Sequence, residues 1–349
     1  MGTIRSCCFG KKIQSNFLMV IDHAITFPFL FQLTTEAPPP PASIVLVAGG
    51  NNGDSSEIIA ENDYDQMALP YLPQNTNTQG ASILNHNNTI LYCVHKSCLQ
   101  LKLGSLTSIW AHHSNLNNIR RYSSGVSTNS ASFLFGGDDY DSRNTYEYME
   151  FGTNVWKNGQ TSLPMSRFTN GCGVALSNQQ ILLIGGSTSQ SYYGDNRIFS
   201  FDTLTHTFTQ LSIYLKRGRK NHACSRILNT EKVLVTGGYF RDSSHSQGTL
   251  NSAEIIDMAT QSVTFTGSMN SARQNHGMGI MTIGNEDKII TFGGNNGTNL
   301  DTIEVYKEDT QSWELLATKL SQPKHQFGYL SIKNTGNKVT KVYIFRISN

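Results

Sequence analysis

Basic residues recur along the chain from residue 121 onward, each time shortly before a glycine-containing apolar stretch. Guanidinium groups of this kind suit anion recognition, because they bind carboxylates through two parallel hydrogen bonds. Histidines follow two of them at a spacing of three residues, His222 after Arg219 and His276 after Arg273. The series consists of Arg121, Arg167, Arg219, Arg273 and Lys324. This series of basic residues either binds a ligand or has the same structural role in each repeat.

Other residues able to do chemistry are few. The adjacent pair His112-His113 would point to opposite sides of an extended segment, so it is poorly placed to share a metal ion. Asp138, Asp139 and Asp141 offer oxygen ligands but lack the rest of a calcium-binding loop. No nucleophile elbow, zinc-protease motif, dinucleotide fingerprint or phosphate-binding loop is present. The sequence therefore predicts no enzyme activity, no metal site and no cofactor.

Cysteines provide a second kind of chemistry. Cys93 and Cys98 enclose four residues, so a hairpin there would bring them within disulfide range, which is about 4.4–6.8 Å between Cα atoms. That bond would indicate an oxidising compartment. Cys172 and Cys224 each lie 13 residues before a Gly-Gly doublet. We interpret them as equivalent, small buried hydrophobic residues of neighbouring repeats.

The elements that position these residues are repeated. Five Gly-Gly doublets each close a short apolar run: Gly49-Gly50, Gly136-Gly137, Gly185-Gly186, Gly237-Gly238 and Gly293-Gly294. The last three spacings are 49, 52 and 56 residues, and the first is 87. The run Ile90–Val94, with Cys93-Val94 in place of the glycines, divides that gap into 44 and 43. A period near 50 residues made of strands predicts the blades of a β-propeller.

The repeat between Arg273 and Leu320 shows the unit most clearly. Its predicted strands are His276–Ile283, Lys288–Phe292, Thr302–Tyr306 and Ser312–Leu316. Tyr306 and Trp313 are seven residues apart, which suits two aromatic rings on one face of a hairpin. Phe201 and Phe208 have the same spacing.

This pattern closely resembles the kelch repeat. Arg273-x-x-His276-Gly277 leads into Gly293-Gly294 and then into Tyr306 and Trp313, and the resemblance covers residues 44 to about 347. It implies an all-β propeller with blades of four antiparallel strands. Six blades are favoured, with the strand from Gly328 pairing with the strand from Ile44. Val342–Ile347 also fits a second strand, and seven blades are the alternative if residues before Pro38 contribute strands.

The first 43 residues differ from the rest, so the predicted organisation is an N-terminal targeting or disordered segment (1–43) ending in a Pro-rich linker, followed by the propeller (44–349). Gly2, Cys7 and Cys8 fit a doubly acylated cytoplasmic anchor. Phe17–Phe31 fits the apolar core of a secretory signal. An extracellular location is favoured, and the acylated form is the alternative. Two glycosylation sequons, Asn87-Asn88-Thr89 and Asn296-Gly297-Thr298, are usable only after export.

Composition excludes other classes of function. Only 15% of the residues are charged and the net charge is +2, so no field favours nucleic acid. No uninterrupted apolar stretch of 18 residues predicts a transmembrane helix. We expect a monomeric propeller.

The resemblance also implies where a ligand binds. In peptide-binding kelch domains, residues before the first strand and in the loop after the doublet line one face. Those places are filled here by Arg143, Tyr192, Tyr193, Arg219, His222, Arg241, Arg273, His276, Asn295 and Asn296. Such a face suits a protein or peptide, particularly an acidic one, or a glycan. Arg219 and Arg273 could instead join neighbouring blades by bonding loop carbonyls.

Two alternatives to a binding module remain from the resemblance. One is a propeller enzyme like the copper-containing galactose oxidase, whose tyrosine and histidine ligands and Tyr–Cys cross-link have no mapped counterparts in this sequence. The other is a structural, actin-associated kelch protein. The repeats alone do not separate a scaffold of that type from a ligand-binding module.

Overall fold

The residues that the structure describes form strands joined by turns and loops. In the computed structural model these are residues 43–51, 53–60, 70–73, 79–87, 89–102, 109–187, 193–242, 244 and 246–333. They contain 24 strands and no helix, which confirms the predicted all-β class. All of them belong to one compact unit, residues 40–349.

The strands assemble into six antiparallel blades. Blade 1 contains β1 (Ser43–Ala48), β2 (Ser56–Ile59) and β24 (Gly328–Lys333). Blade 2 contains β3 (Ser82–His86), β4 (Thr89–Lys102) and β5 (Ala111–Arg120). Blade 3 contains β6 (Ser124–Ser127), β7 (Ala131–Phe135), β8 (Tyr146–Glu150) and β9 (Lys157–Asn158). Blade 4 contains β10 (Cys172–Ala175), β11 (Gln180–Ile184), β12 (Asp195–Asp202) and β13 (Thr207–Arg219).

Blade 5 contains β14 (Ala223–Arg226), β15 (Lys232–Thr236), β18 (Ala253–Asp257) and β19 (Ser262–Thr266). A small extra hairpin, β16 (Tyr239–Arg241) with β17 (Gln247–Thr249), lies in the loop after β15. Blade 6 contains β20 (Gly277–Ile283), β21 (Glu286–Phe292), β22 (Thr302–Lys307) and β23 (Ser312–Lys319). Blades 3 to 6 therefore have the four main strands that the resemblance implied.

Continuous apolar runs form the second strand of each blade because both faces of that strand are covered by protein. Ile181–Ile184 in β11, for example, is fully buried. Six apolar clusters lie among the described residues, one at each junction between consecutive blades, including the junction of blade 6 with blade 1. The core of this protein is therefore a set of six interfaces around a ring.

Cross-strand aromatic pairs stabilise the outer hairpins. Tyr306 in β22 is directly opposite Trp313 in β23, with ring centroids 5.0 Å apart. Phe201 and Phe208 are paired in the same way at 4.6 Å. The sequence spacing of seven residues thus identified hairpin partners on one blade face.

The ring closes through the last described strand. β24 pairs antiparallel with β1, from Gly328 opposite Ala48 to Lys333 opposite Ser43. This is the six-blade closure that the sequence favoured. The alternative seventh-blade strand, Val342–Ile347, lies outside the described residues.

A continuous hydrogen-bonded ring marks one end of the central channel. Before the first strand of each blade, one residue has a positive φ between 53° and 71°. Its backbone N–H donates to the carbonyl of the equivalent residue in the preceding blade, at 2.8–3.1 Å. The six members, here called the backbone belt, are Gly80, Tyr122, Asn170, Asn221, Asn275 and Gln326. Gly80 donates to Gln326, so the circle is complete.

The Gly-Gly doublets lie beneath the chain that leaves each blade. Gly137 N–H donates to the Phe168 carbonyl at 2.9 Å. A Cβ added to the preceding Gly136, which has φ 67°, would be 1.8 Å from the same oxygen. Glycine is therefore required by both backbone conformation and the close approach of the next linker.

Blade 2 replaces its doublet with other residues, one position later than the sequence suggested. Ser82 is opposite Cys93 just as Ser124 is opposite Phe135, the residue before a doublet. Val94 and His95 therefore occupy the glycine positions, and His95 has φ 54°. The chain folds back here within β4, because Cys93 and Cys98 have Cα atoms only 4.1 Å apart and form a disulfide.

Candidate functional site

One end of the propeller carries the linkers between blades and the loops that follow the doublets. We call it the doublet face. Antiparallel pairing places the start of each first strand beside the end of each second strand, so both sets of loops lie on the same side. Nine of the ten residues that the resemblance assigned to ligand binding are described, and they belong to these loops and linkers or to the strand ends beside them.

Arg219 and Arg273 lie beneath this face. Both side chains have 0% exposure, and each donates to a buried glutamate of the following blade, Glu254 or Glu304. Arg273 Nη2 is 2.6 Å from Glu304 Oε1, and its Nη1 donates to the Gly293 carbonyl at 2.7 Å. These arginines join neighbouring blades and bond loop carbonyls. Their side chains do not reach a ligand at the surface.

The same arrangement, which we call the glutamate clasp, occurs at four blade junctions among the described residues. The pairs are Arg120–Glu147, Arg219–Glu254, Arg273–Glu304 and Lys324–Glu57. In each, the cation lies two residues before a belt residue and the glutamate lies in the third strand of the next blade. Backbone N–H groups at the end of the preceding blade donate to the same carboxylate.

This geometry corrects the row of basic residues read from the sequence. Arg120, rather than Arg121, is equivalent to Arg219, and Arg121 instead pairs with Asp138. At the junction of blades 3 and 4, Phe168 takes the place of the cation, because it lies two residues before Asn170 of the belt. Phe199 takes the place of the glutamate there, since it faces Leu183 as Glu254 faces Val235. Arg167 is therefore outside the series.

The recurrent glutamates were present in the sequence but went unrecognised. Each is the second or third residue of a third strand, so a carboxylate recurs at a place where the neighbouring residues of the strand are mostly buried. The recurrence of a glutamate at this place in four third strands was therefore the sequence signal for the clasp.

His222 and His276 are also buried. The Cε1 atom of each ring packs against the first glycine of the preceding doublet, Gly185 or Gly237. Burial, with the charge of Arg219 beside it, lowers the pKa of His222 to about 3. Burial and the charge of Arg273 lower the pKa of His276 well below its usual value. Both imidazoles are neutral at pH 7 and fill space behind the doublets.

Cys172 and Cys224 form a second disulfide, between the first strands of blades 4 and 5. The sequence interpretation treated them as equivalent buried residues, and the register shows why that was wrong. Cys172 is opposite Ile184, the last residue before its doublet, whereas Ala223 holds that place in blade 5. The one-residue offset turns the two side chains toward each other across the junction.

The remaining predicted residues are partly or fully exposed at the doublet face. Arg143 lies over the Tyr140 ring at 4.1 Å. Asn295 donates to Asn299 Oδ1 at 2.9 Å, and Asn296 is exposed in the same loop. Tyr192 lies outside the described residues.

Tyr193 and Arg241 are brought together across the junction of blades 4 and 5. The guanidinium carbon of Arg241 lies 5.9 Å from the centre of the Tyr193 ring. Its Nε is buried and has no hydrogen-bond partner among the described residues. Lys220 lies beside them in the linker, with its Nζ 5.7 Å from the Tyr239 ring.

Electrostatics show that this corner is cationic. The pKa of Lys220 is lowered first by burial and then by the charges of Arg167 and Arg241. Three cations therefore lie near enough to repel one another, and two tyrosine rings lie against them. We call this set, Arg167, Tyr193, Lys220, Tyr239 and Arg241, the cationic corner.

The cationic corner adjoins the mouth of the central channel. Lys220 directly precedes the belt residue Asn221, and all six belt residues line a cavity of about 200 Å³. Three belt side chains are asparagines, Asn170, Asn221 and Asn275, so the mouth presents neutral amides. The face thus combines a polar, uncharged centre with a cationic margin on one side.

Within the described ranges, no group of three or more His, Cys, Asp or Glu side chains is arranged to hold a metal ion. Over the same ranges, no helix is long and apolar enough to span a bilayer.

Comparison with known families decides the relationship. The model of the KLHDC2/KLHL20/DRC7 Kelch-repeats domain matches residues 122–345, which is more than half of the chain. The chain belongs to the kelch-repeat family. A search of curated proteins gave no significant match.

Kelch-repeat propellers are generally protein-interaction modules. This kelch domain has the six blades, doublets and hairpin aromatics expected from the resemblance. Its glutamate clasps and buried histidines explain the most regular part of the kelch pattern as structural. The predicted residues that are partly or fully exposed on this face are accordingly the less regular ones, in the loops after the doublets.

Proposed function

We propose that this kelch domain binds an acidic segment of a partner protein at the cationic corner of the doublet face. The observation that supports it most directly is the placement of Arg241, whose buried Nε faces no acceptor among the described residues while its guanidinium lies against Tyr193. Because Arg241 as a whole is partly exposed, a ligand carboxylate can approach its guanidinium from the surface. Arginine offers planar, paired donors for this purpose.

The surroundings favour a peptide carboxylate over a neutral ligand. The pKa of Lys220 is lowered by burial and then by the charges of Arg167 and Arg241, so an anion placed among these cations would relieve their repulsion. The nearest acid in the extra hairpin, Asp242, interacts instead with Ser244 and Arg217. Tyr193 and Tyr239 add rigid surface of the kind enriched at interaction hot spots.

The test is binding of a fluorescein-labelled Glu-rich peptide, measured by fluorescence polarisation against the same peptide with glutamines. We expect the acidic peptide alone to bind, with an affinity that falls as salt is raised. Arg241→Ala should weaken binding at least about tenfold, equivalent to about 1.4 kcal/mol. Arg241→Lys should recover only part of the loss, because it keeps the charge but not the paired donors.

Lys232→Ala is the matched control. Lys232 is in the same blade, half exposed and paired with Asp257, but it begins β15, whereas the cationic corner follows the end of that strand. Lys232→Ala removes one positive charge, as Arg241→Ala does, but from the opposite face, so binding of the acidic peptide should be unchanged. Equal losses for Lys232→Ala and Arg241→Ala, or preference for a neutral oligosaccharide over the acidic peptide, would overturn the proposal.

A further inference from the structure

We infer that Asn87 and Asn296 carry N-linked glycans, and that the propeller therefore matures in an oxidising secretory compartment. The inference is independent of the proposed ligand. It rests on two sets of observations, the positions of the two sequon asparagines and the pairing of the cysteines.

The described cysteines are paired. All four within the described residues are joined in two disulfides. Cys172–Cys224 links strands of different blades that are 52 residues apart in sequence, so it depends on the folded ring. No metal-binding group uses these thiols within the part of the chain that the structure describes. Paired structural cysteines of this kind are typical of secreted proteins and rare in the cytosol.

The asparagines are the second observation. A bulky, hydrophilic glycan requires a surface position. Asn87 is exposed at the turn between β3 and β4, with φ 49°, on the end of the propeller opposite the doublet face. Asn296 is exposed in the loop after the doublet of blade 6. Both sequons in the chain therefore fall on exposed turns.

The local geometry at Asn296 suits modification. The backbone N–H and the hydroxyl of Thr298 both donate to Asn296 Oδ1, at 3.4 and 3.2 Å. Its Nδ2, the atom that would bind the sugar, makes no hydrogen bond to the described residues. By contrast, Nδ2 of Asn117 and of Asn270 each donates to a clasp glutamate and to a tryptophan carbonyl, and neither residue lies in a sequon.

Glycosylation and disulfide formation each need one co-reactant, and the secretory pathway supplies both. Asn Nδ2 attacks C1 of a sugar in a lipid-linked oligosaccharide diphosphate. The N–C1 bond forms as the C1–O bond breaks, the lipid diphosphate leaves with that electron pair, and the proton lost from Nδ2 passes to a base of the glycosyl transferase. For each disulfide, two thiols give two electrons and two protons to the disulfide of a thiol oxidoreductase, which becomes a dithiol.

These positions have a consequence for access. Asn87 lines a second cavity of about 580 Å³, together with Asn129 and Phe151. A glycan there would cover the channel end opposite the doublet face. A glycan on Asn296 would occupy the blade 6 loop and remove that residue from ligand contact, leaving the cationic corner of blades 4 and 5 open.

The experiment is expression of the full 349-residue chain in animal cells, followed by intact mass measurement before and after peptide-N-glycosidase treatment. We expect two glycan losses. Thr89→Ala and Thr298→Ala should each abolish one, whereas Thr298→Ser, which keeps the sequon, and Asn295→Gln, which changes the neighbouring residue, should abolish none. Alkylation without reductant should leave Cys93, Cys98, Cys172 and Cys224 unlabelled.

Each contrary result is decisive. A chain without glycans overturns the assignment even if both disulfides are present. If the chain carries only one glycan, the assignment is wrong for the asparagine that is not glycosylated. Labelling of all four cysteines would show that the propeller does not mature in an oxidising compartment.

Discussion

Glu254, at 0% exposure, is tolerated as a carboxylate because its oxygens receive Arg219 and the backbone N–H groups of Lys216 and Arg217. Removing one partner of such a pair leaves an uncompensated charge in the interior. The junction of blades 3 and 4 shows that an apolar solution also works, since Phe168 and Phe199 take the two places and belong to one cluster. A buried ion pair and a pair of phenylalanine rings can therefore occupy the same place at a blade junction.

We expect Glu254→Gln to lower the free energy of unfolding by about 3–5 kcal/mol, because it leaves Arg219 buried without a counter-charge. Denaturant unfolding measures this. The control is Glu314→Gln in the exposed pair with Lys307, where less than about 1 kcal/mol should be lost. Equal losses would contradict the account, and the double change Arg219→Met with Glu254→Leu should be less harmful than Glu254→Gln alone.

The buried imidazoles predict sensitivity to acid. The pKa of His222 is about 3 in the folded protein and 6.5 ordinarily, so below pH 6.5 the unfolded chain binds a proton that the folded chain does not. The free energy of unfolding should fall as the pH drops, by up to about 1.4 kcal/mol per unit for this residue. His276, whose pKa is also lowered, adds to the effect.

His222→Phe tests this prediction, since Phe327 fills the corresponding place next to Gln326 of the belt and packs against Gly293. The variant should lose less stability than the original protein between pH 7 and pH 4, as measured by thermal unfolding. His112→Phe, at an exposed position, should leave the pH dependence unchanged. Identical pH profiles for His222→Phe and the original protein would exclude His222 as a source of acid sensitivity.

At the scale of elements, the sequence identified the strands and their hairpin partners because apolar runs, doublets and aromatic spacings follow directly from the blade geometry. It failed where one residue changed the register. The hairpin of β14 and β15 is one residue longer than that of β10 and β11, so equal distances of Cys172 and Cys224 from their doublets concealed opposite side-chain directions. Likewise, Arg219 and Arg241 look alike in sequence, and only the packing in the folded ring shows that Arg219 is fully buried and Arg241 partly exposed.

The doublets allow an element-scale test. Gly136→Ala places a Cβ against the Phe168 carbonyl, whereas Gly152→Ala, at φ 85°, has no atom within 4 Å of the new Cβ. Both changes carry the cost of a positive φ, about 1–2 kcal/mol. We expect Gly136→Ala to lower the free energy of unfolding by roughly 1–3 kcal/mol more than Gly152→Ala. Equal values would show that conformation alone, without the close linker, requires the glycine.

On the scale of the whole molecule, the ring depends on one non-local ladder. β24 joins β1 through six residue pairs, and this ladder places the first and last described strands in one blade. The sequence favoured six blades closed by the strand from Gly328 pairing with the strand from Ile44, and the pairing of Gly328 with Ala48 confirms that closure. Ligand identity did not follow from the repeats, because the repeated positions are occupied by the clasps and belt.

A chain ending at Phe327 lacks β24, so blade 1 loses its innermost strand and the ring has two open edges. We expect its thermal unfolding to become broad or to shift to much lower temperature. A chain ending at Lys333 retains all six pairs and should unfold cooperatively. If both chains unfold alike, the ladder between β1 and β24 does not maintain the ring.

The backbone belt has neither a first nor a last member, since Gly80 donates to Gln326 and every other member donates to the blade before it. Opening one blade junction would leave one backbone N–H group without its acceptor and one backbone carbonyl without its donor. The amide protons of Tyr122, Asn170, Asn221 and Asn275 should therefore exchange with deuterium at a common slow rate, although they are far apart in sequence. Such concerted protection would make these four protons a direct reporter of when the circle breaks.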